Sequence, residues 1–161
     1  MVRFAVFASL LALATGAQAQ QAPTVLTAEH AQAIIDGCKA YASENGRSHA
    51  VAVYDAGANP VAFLRMTGNG AGAGAFAMEK AKAVAMWRFP TSGMEEAVKT
   101  TPGFADAPGV VTVAGGVPIF TADGKIFLGA AAASGEPPQE DVACVEAGIE
   151  AAGLASQRAR N

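Results

Sequence analysis

The stretch 115–141 contains the feature that most constrains the fold, an Asp-Gly pair between two apolar runs. Asp123-Gly124 at this position is a strong short-range signal for a β-hairpin turn. A second signal follows, because Ser134-Gly135 precedes two prolines and the acids Glu140 and Asp141. Prolines and acids in the first turn are typical of the start of a helix. The stretch therefore predicts strand, hairpin, strand, loop and helix in that order.

The same order predicts a place for a ligand. The turn Gly115-Gly116-Val117-Pro118 precedes one hairpin strand, and the loop Ser134-Gly135 follows the other. In a hairpin these two points lie at the same end of the sheet. We expect exposed backbone N–H groups there to form a small-molecule site, although backbone groups alone do not specify a ligand.

Hydrophobic periodicity along the rest of the chain predicts an α+β fold. Thr27 is suited to cap the first helix, and Asn45-Gly46 to end it. Further helices are predicted at 76–89, 92–99 (opened by a Ser92-to-Glu95 capping box) and 138–152, and strands at 50–54, 61–66, 110–113, 117–121 and 125–132. Strands joined by hairpins, with helices grouped before and after them, predict a five-stranded antiparallel sheet covered by helices on one side.

A glycine-rich segment at 67–74 invites comparison with phosphate-binding loops. Glycines let backbone N–H groups approach an anion. The segment lacks the Lys-Ser or Lys-Thr pair of a Walker A loop, and no parallel βαβ unit surrounds it. The pattern favours a flexible connector, which is also suited to be a lid over a pocket.

The N-terminus has the pattern of a secretory signal peptide. Arg3 precedes an apolar stretch too short to span a membrane, and Ala17-Gln18-Ala19 fits an A-x-A cleavage site. We expect cleavage after Ala19, a single domain over 20–161 and a periplasmic or secreted protein; a buried N-terminal helix is the alternative. No other segment is apolar and long enough for a membrane span.

The charge balance argues against nucleic acid as a general partner. The chain carries a net charge of −3, which becomes −4 once Arg3 is removed. No basic run precedes the last few residues, whereas nucleic-acid binding requires a concentrated basic surface. Arg158 and Arg160 lie in a polar tail that predicts a frayed end.

Two cysteines, Cys38 and Cys144, fall on the predicted first and last helices. In an exported chain an even number of cysteines permits a disulfide. Two separate buried thiols, which behave as small apolar residues, are the alternative. The two are too distant in sequence, and too isolated from other ligands, to indicate a zinc site.

No catalytic signature stands out, so no catalytic residue is assigned, and the candidates for iron ligation are isolated residues. His30 and His49 can each ligate haem iron, or serve as ordinary capping and surface residues. Met66 belongs to a group of four methionines in the middle third of the chain. Methionine can ligate haem or pack against it, and in helices it more often fills the core.

Charged and hydroxyl residues form a second set of candidates. Arg65 and Lys80 interrupt apolar stretches, where they could pair with a ligand carboxylate or with an acid of the chain. Glu140 and Asp141 could transfer protons, bind a cation, or stabilise the helix dipole. Hydroxyl and N–H donors for the same pocket would come from Thr91, Gly116 and Ser134.

Four segments of the chain carry a family resemblance. They are Leu26-Thr27, Val51-Ala52-Val53-Tyr54-Asp55-Ala56-Gly57, Phe63-Leu64-Arg65-Met66 with Lys80-Ala81, and Gly115-Gly116-Val117-Pro118-Ile119 with Ser134-Gly135 and Asp141. In these the chain resembles the GlcG/HbpS family (DUF336), which is described as haem-degrading or haem-binding and is similar to the C-terminal domain of PduO. The resemblance implies a profilin-like fold, a haem or related tetrapyrrole ligand, and a homo-oligomer.

Three hypotheses of function follow from the residues and the resemblance together. The first is an exported haem-binding protein rather than an enzyme. The second is an enzyme or accessory protein for a small hydroxy acid such as glycolate, with Arg65 on the carboxylate and Glu140 or Asp141 moving a proton. The third is a ligand-sensing module that acts through a partner, which rests on fold analogy.

Overall fold

The computed structural model describes residues 24–160, so the predicted signal peptide at 1–19 lies outside the described residues. The chain forms helix α1 (Ala28–Glu44), strands β1 (Ala50–Asp55) and β2 (Pro60–Arg65), helices α2 (Ala71–Trp87) and α3 (Thr91–Thr100), a 3-10 helix (Pro102–Asp106), strands β3 (Gly116–Phe120) and β4 (Phe127–Ser134), and helix α4 (Pro138–Ala151). The predicted α+β class is confirmed, and Thr27 caps α1 by accepting from the His30 N–H.

All neighbouring strands of the sheet are antiparallel, in the order β2-β1-β4-β3. The predicted hairpin at Asp123-Gly124 is confirmed as the β3–β4 connection. The prediction of five strands is wrong, because the described residues form four and 110–113 is irregular. The run 110–113 does not pair with β3 as a fifth strand, because the outward N–H groups of β3 already donate to Thr91 and Ala155. The profilin-like classification stays a prediction.

Helices cover both faces of the sheet, so the prediction of cover on one side is wrong. One face packs against α1 and α4 and carries Val51 and Val53 of β1. The other face packs against α2 and carries Ala50 and Ala52. The two central strands, β1 and β4, are apolar along nearly their whole length, which is the pattern of strands buried on both faces.

Two helix starts differ from the prediction. The helix α2 begins at Ala71, so half of the glycine-rich segment is its first turn rather than a connector. Gly74 is useful there, because a Cβ would lie 3.1 Å from the ring of Phe63. The helix α3 begins at Thr91 behind Pro90, not at a Ser92 capping box. The Thr91 hydroxyl instead accepts from the Gly116 N–H at 3.0 Å, a tertiary contact that no local pattern reveals.

The helices α1 and α4 lie antiparallel and are joined by a disulfide between Cys38 and Cys144. Their contact is close because both helices present a glycine: a Cβ on Gly37 would lie 2.7 Å from the Cβ of Ala151, and one on Gly148 would collide with the Ile34 carbonyl. The pair therefore forms one cross-linked layer beneath the sheet.

The C-terminal tail is not frayed, contrary to the prediction. Ala155 exchanges two backbone hydrogen bonds with Phe120, and the Ala159 N–H donates to the Gly124 carbonyl at 3.0 Å. The tail thus lies along the outer edge of β3 and over the hairpin turn. Within residues 24–160, no helix has the length and hydrophobicity that a membrane crossing requires.

Candidate functional site at one end of the sheet

All four strands contribute residues to one end of the sheet. Strands β1 and β3 begin there and β2 and β4 end there, because Ala50 pairs with both Arg65 and Ser134. Lys80 of α2 and Asp141 of α4 reach the same end from the two helix layers. We call the group His49, Lys80, Gly115, Ser134 and Asp141 the sheet-end site.

Asp141 is the centre of the sheet-end site. Its Oδ2 lies 3.1 Å from the Lys80 ammonium, and its Oδ1 lies 3.1 Å from Nδ1 of His49. The backbone N–H of Glu136 also donates to Oδ1, at 3.3 Å. Asp141 is only 1% exposed, so these contacts replace the water that a carboxylate needs. Its position in the first turn of α4 adds stabilisation from the helix dipole.

Lys80 reaches Asp141 from the opposite face of the sheet, and a glycine makes that path possible. The Lys80 ammonium also donates to the Ala133 carbonyl at 3.2 Å, and the residue is 1% exposed. A Cβ on Gly115 would lie 2.5 Å from Lys80 Nζ and 2.8 Å from the Ala133 oxygen. Gly115 also has φ +133°, where residues with a Cβ are strained. Lys80 is therefore part of a buried ion pair.

His49 is fully buried, and one of its ring nitrogens has no partner. Because Nδ1 faces the Asp141 carboxylate, the hydrogen-bond network assigns a proton to Nδ1, and in the neutral tautomer with that proton Nε2 has a lone pair. Among the described residues, Nε2 of His49 is a buried side-chain atom without a hydrogen-bond partner. A buried polar atom in this state requires an explanation.

His30 lies elsewhere in the molecule. Its Nδ1 is 3.2 Å from the Thr27 hydroxyl in the first turn of α1. The other end of α1 is the one that reaches the start of α4, where Tyr41 bonds to Glu140. His30 and Tyr41 are separated along the helix by about 16 Å, at 1.5 Å per residue. The two candidate histidines therefore do not share a site.

Two exposed phenylalanines lie on the same side of the sheet as Lys80, one on β2 and one on α2. Phe63 and Phe76 are 46% and 36% exposed. Phe76 places its ring centroid 4.7 Å from Lys80 Nζ. Arg65 shares the α2-facing side of β2 with Phe63, and its guanidinium donates to the Asn69 carbonyl. Sequence reasoning missed the exposure of these two phenylalanines. The alternation Phe63, Leu64, Arg65 did indicate that Phe63 and Arg65 share a face of β2.

Met66 and Gly135 are held by the loops that close this end of the sheet. The Met66 sulfur accepts from the His49 N–H at 3.4 Å, so the thioether is already engaged. Gly135 has φ +127°, and a Cβ there would collide with the Asn69 side chain. Asn69 in turn donates to the Ser48 hydroxyl at 2.7 Å. The sequence held no signal for the Asn69–Ser48 contact.

Glu140 points to the other face of the sheet. Its carboxylate accepts from the Tyr41 hydroxyl at 3.1 Å and lies 3.6 Å from the Arg47 guanidinium. Loss of solvation, followed by the hydrogen bond to Glu140, raises the pKa of Tyr41. Arg65 lies on the α2 side, so the structure does not bring Glu140 and Arg65 together.

Thr91, Gly116 and Pro118 lie at the outer edge of β3 rather than around Asp141. Thr91 is fully buried and its hydroxyl accepts the Gly116 N–H. Gly116 and Pro118 line a separate cleft of about 490 Å³, which we call the β3-edge groove. In the described part of the chain, no group of three or more histidine, cysteine or acidic side chains is arranged to hold a metal ion.

The sheet-end site can therefore do two things chemically. Its buried Lys80–Asp141 pair orients His49 through Nδ1, and in the tautomer with the proton on Nδ1 the Nε2 atom has a lone pair that can bind a metal centre. The exposed phenyl rings and the Arg65 guanidinium beside it offer an apolar surface with a positive charge.

Known proteins are similar to this chain in sequence and in fold. Protein GlcG of Escherichia coli strain K12 is 34% identical over 104 residues, which are 64% of this chain and 77% of GlcG. The crystal structure of HbpS superposes with a TM-score of 0.72 at 30% identity, covering 87% of this chain and 97% of HbpS. A crystal structure of a PduOC:haem complex superposes with a TM-score of 0.74 over 83% of this chain and 99% of that one, and at 19% identity it shows the fold alone.

A match to a protein family extends over most of the chain. Residues 26–150 match the family described as "Haem degrading protein HbpS-like". That range contains all four strands, all but the last residue of α4, and every residue of the sheet-end site. The chain therefore belongs to the HbpS-like haem-degrading protein family.

Proposed function

We propose that this chain is an exported protein that binds haem, or a related tetrapyrrole, with Nε2 of His49 as the iron ligand. The observation that carries the proposal is the buried, unpartnered Nε2 opposite a carboxylate-bound Nδ1. Family membership and the haem complex of PduOC, which shares the fold, support the choice of haem.

The surroundings of His49 suit an iron ligand. Histidines that bind metals usually donate their second ring N–H to a carboxylate or carbonyl, which fixes the tautomer and raises the basicity of the ligating nitrogen. Asp141 has this relation to His49, and Lys80 pairs with the other oxygen of the Asp141 carboxylate. Haem, when bound, would supply the iron centre, and Asp141 and Lys80 orient the imidazole of His49.

The exposed rings and Arg65 suit the rest of a tetrapyrrole. Phenyl rings bury large apolar areas against flat aromatic ligands, and a guanidinium can bind a propionate carboxylate through two hydrogen bonds. Lys80 connects the two regions, because it contacts both the Phe76 ring and Asp141. His49 is fully buried, so iron binding to Nε2 requires the residues that cover it to move.

Two features support export. The A-x-A pattern ending at Ala19 is typical of a signal peptide. The disulfide between Cys38 and Cys144 is typical of proteins in oxidising compartments. Expression of the full chain in a Gram-negative host tests export. We expect a periplasmic protein whose measured mass matches a chain that begins at Gln20. An intact N-terminus in the cytoplasm would contradict it.

A hemin titration of the chain from Gln20, followed by absorbance, tests haem binding. The chain has two histidines, so His49→Gln and His30→Gln form a matched pair. His49→Gln keeps an amide donor for Asp141 but provides no iron ligand. We expect saturable one-to-one binding with a shifted Soret band for wild type and His30→Gln, and loss of that shift for His49→Gln.

Myoglobin and albumin serve as positive and non-specific controls. Non-saturable binding by wild type would overturn the haem proposal, and an unchanged Soret shift in His49→Gln would overturn the assigned ligand.

The residues of the hydroxy-acid alternative do not lie together, since Glu140 faces away from Arg65 and Asp141 is buried. The homo-oligomer that the family resemblance implies stays a prediction, which light scattering of the mature chain tests.

A further inference from the structure

The β3-edge groove is a second concave site, on the far edge of the sheet from β2. It lies between the outer edge of β3, the α2–α3 turn, α4 and the docked C-terminal tail, and it encloses about 490 Å³. Its apolar lining includes Phe89, Pro118, Phe120 and Val142. A cleft of this size with an apolar lining is typical of small-molecule sites.

The edge of β3 inside the groove cannot add another strand. The outward N–H of Gly116 is bound by Thr91, and that of Phe120 is bound by Ala155. Between them stands Pro118, which has no N–H to donate. A peptide that pairs as a strand needs those donors. The groove is therefore suited to a ligand recognised by its apolar body and its charge.

Two arginines provide the charge. The Arg88 guanidinium lies 5.3 Å from the centroid of Phe127, and that of Arg158 lies 5.6 Å from the centroid of Phe120. Within residues 24–160 neither forms a salt bridge, and both are exposed. Glu146 is the acid among the described lining residues. The positive excess of the lining favours an anion, and arginine binds carboxylates well.

Arg88 occupies a backbone position that would suit glycine better. It is the residue after α2, with φ +62° and ψ +25°, in the left-handed region. Glycine is the usual residue there because it lacks the Cβ that causes the strain. Non-glycine residues in strained conformations are concentrated at functional sites. Arg88 lines the groove from this position, although glycine would end α2 with less backbone strain.

We propose that the β3-edge groove binds a small carboxylate with an apolar, preferably aromatic, body, held by Arg88 and Arg158. This site does not depend on the haem proposal. Among its described lining residues there is no histidine, methionine, cysteine or tyrosine, so the lining offers no customary haem-iron ligand. His49 and Asp141 do not line the groove, although Asp141 is on α4 beside the lining residue Val142.

The test uses 2-naphthoate as the probe and its neutral amide, 2-naphthamide, as the matched ligand without charge. Amide NMR spectra of the mature, disulfide-intact chain report where each binds. We expect saturable shifts at Val117 and Phe120 with 2-naphthoate, and binding about tenfold weaker with 2-naphthamide, because the charge-assisted contacts are lost.

Three variants locate the charge. Arg88→Gly removes the guanidinium at a position where glycine is favoured, so the chain should stay folded while affinity falls about tenfold. Arg158→Gln should have a similar effect, and Arg160→Gln, a tail arginine outside the lining, should bind as wild type does. A stable Arg88→Gly variant with unchanged affinity overturns the proposal.

Other outcomes also decide the question. Equal affinity for acid and amide, shifts confined to His49 and Lys80, or no saturable binding would each overturn it. Displacement of 2-naphthoate by hemin would overturn the claim that the groove is separate from the haem site, because the groove would then take part in tetrapyrrole binding. Hemin binding that leaves 2-naphthoate in place supports two independent sites.

Discussion

The buried ion pair between Lys80 and Asp141 gives the sharpest test of how this fold is held together. Both residues are 1% exposed, and the ammonium and carboxylate lie 3.1 Å apart. Lys80→Met keeps most of the side-chain volume but leaves a buried carboxylate without its cation. Removal of one partner of such a pair costs about 3–5 kcal/mol, because the remaining charge cannot regain its water.

Urea unfolding of the disulfide-intact chain measures this loss. Domains of this kind have stabilities of about 5–15 kcal/mol, so the variant should still fold. With an m-value of about 1–3 kcal/mol per molar urea, the midpoint should fall by about 2 M. Lys99→Met is the matched control. Its ion pair with Glu96 is shorter, at 2.6 Å, but the side chains are 60% and 70% exposed, so its loss should move the urea midpoint far less than Lys80→Met does.

A double-mutant cycle separates the pair from the packing. Asp141→Asn added to Lys80→Met removes the unpaired charge, while the amide oxygen can still accept from the Glu136 N–H and from His49. The double variant should therefore be more stable than Lys80→Met alone, with a coupling energy of about 2 kcal/mol or more. Additive effects, or a Lys80→Met loss no larger than that of Lys99→Met, would refute the reasoning.

Three further perturbations follow from the structure. Gly115→Ala should destabilise the chain by about 2–3 kcal/mol in urea, since its Cβ would meet Lys80 Nζ and its φ is positive; a neutral effect would contradict this close approach. Reduction of the Cys38–Cys144 disulfide, which spans 106 residues, should cost about 2–5 kcal/mol in thermal or urea unfolding, and an unchanged transition would contradict that. Hydrogen bonds from Asn59 and Gly57 lower the pKa of Asp55 in the folded chain. The stabilisation that the Asp55 carboxylate contributes is therefore fully present at pH values above its ordinary pKa of about 3.9, and it is lost as the pH falls through the lower pKa of the folded chain. Asp55→Asn should therefore cost only about 0.5 kcal/mol at neutral pH in this partly solvated turn, and the difference from wild type should shrink below about pH 4.

The elements predicted well are those with a signal carried by adjacent residues. Asp123-Gly124 predicted the β3–β4 hairpin, and the prolines with Glu140 and Asp141 predicted the start of α4. Because strand ends follow from the hairpin, the sequence also indicated that Gly115 and Ser134 lie at one end of the sheet. Turn and cap chemistry acts over a few residues, so it can be read without the fold.

The elements predicted wrongly are those whose state depends on distant partners. The run 110–113 has the composition of a strand, but the β3 edge beside it is already closed by Thr91 and Ala155. The glycines before Phe76 suggested a loop, yet packing against Phe63 lets α2 begin at Ala71. Tertiary contacts overrule local preference in both cases.

The sequence alone determined the class of fold, the hairpin, the Thr27 cap of α1 and the kinds of residues available for a site. Only the tertiary structure decided which of them meet. His49 and Asp141 are 92 residues apart in the chain, and Lys80 reaches them from another layer past Gly115. Periodicity and turn signals are local, whereas a buried ion network forms only when separate helices and strands pack closely enough to exclude water.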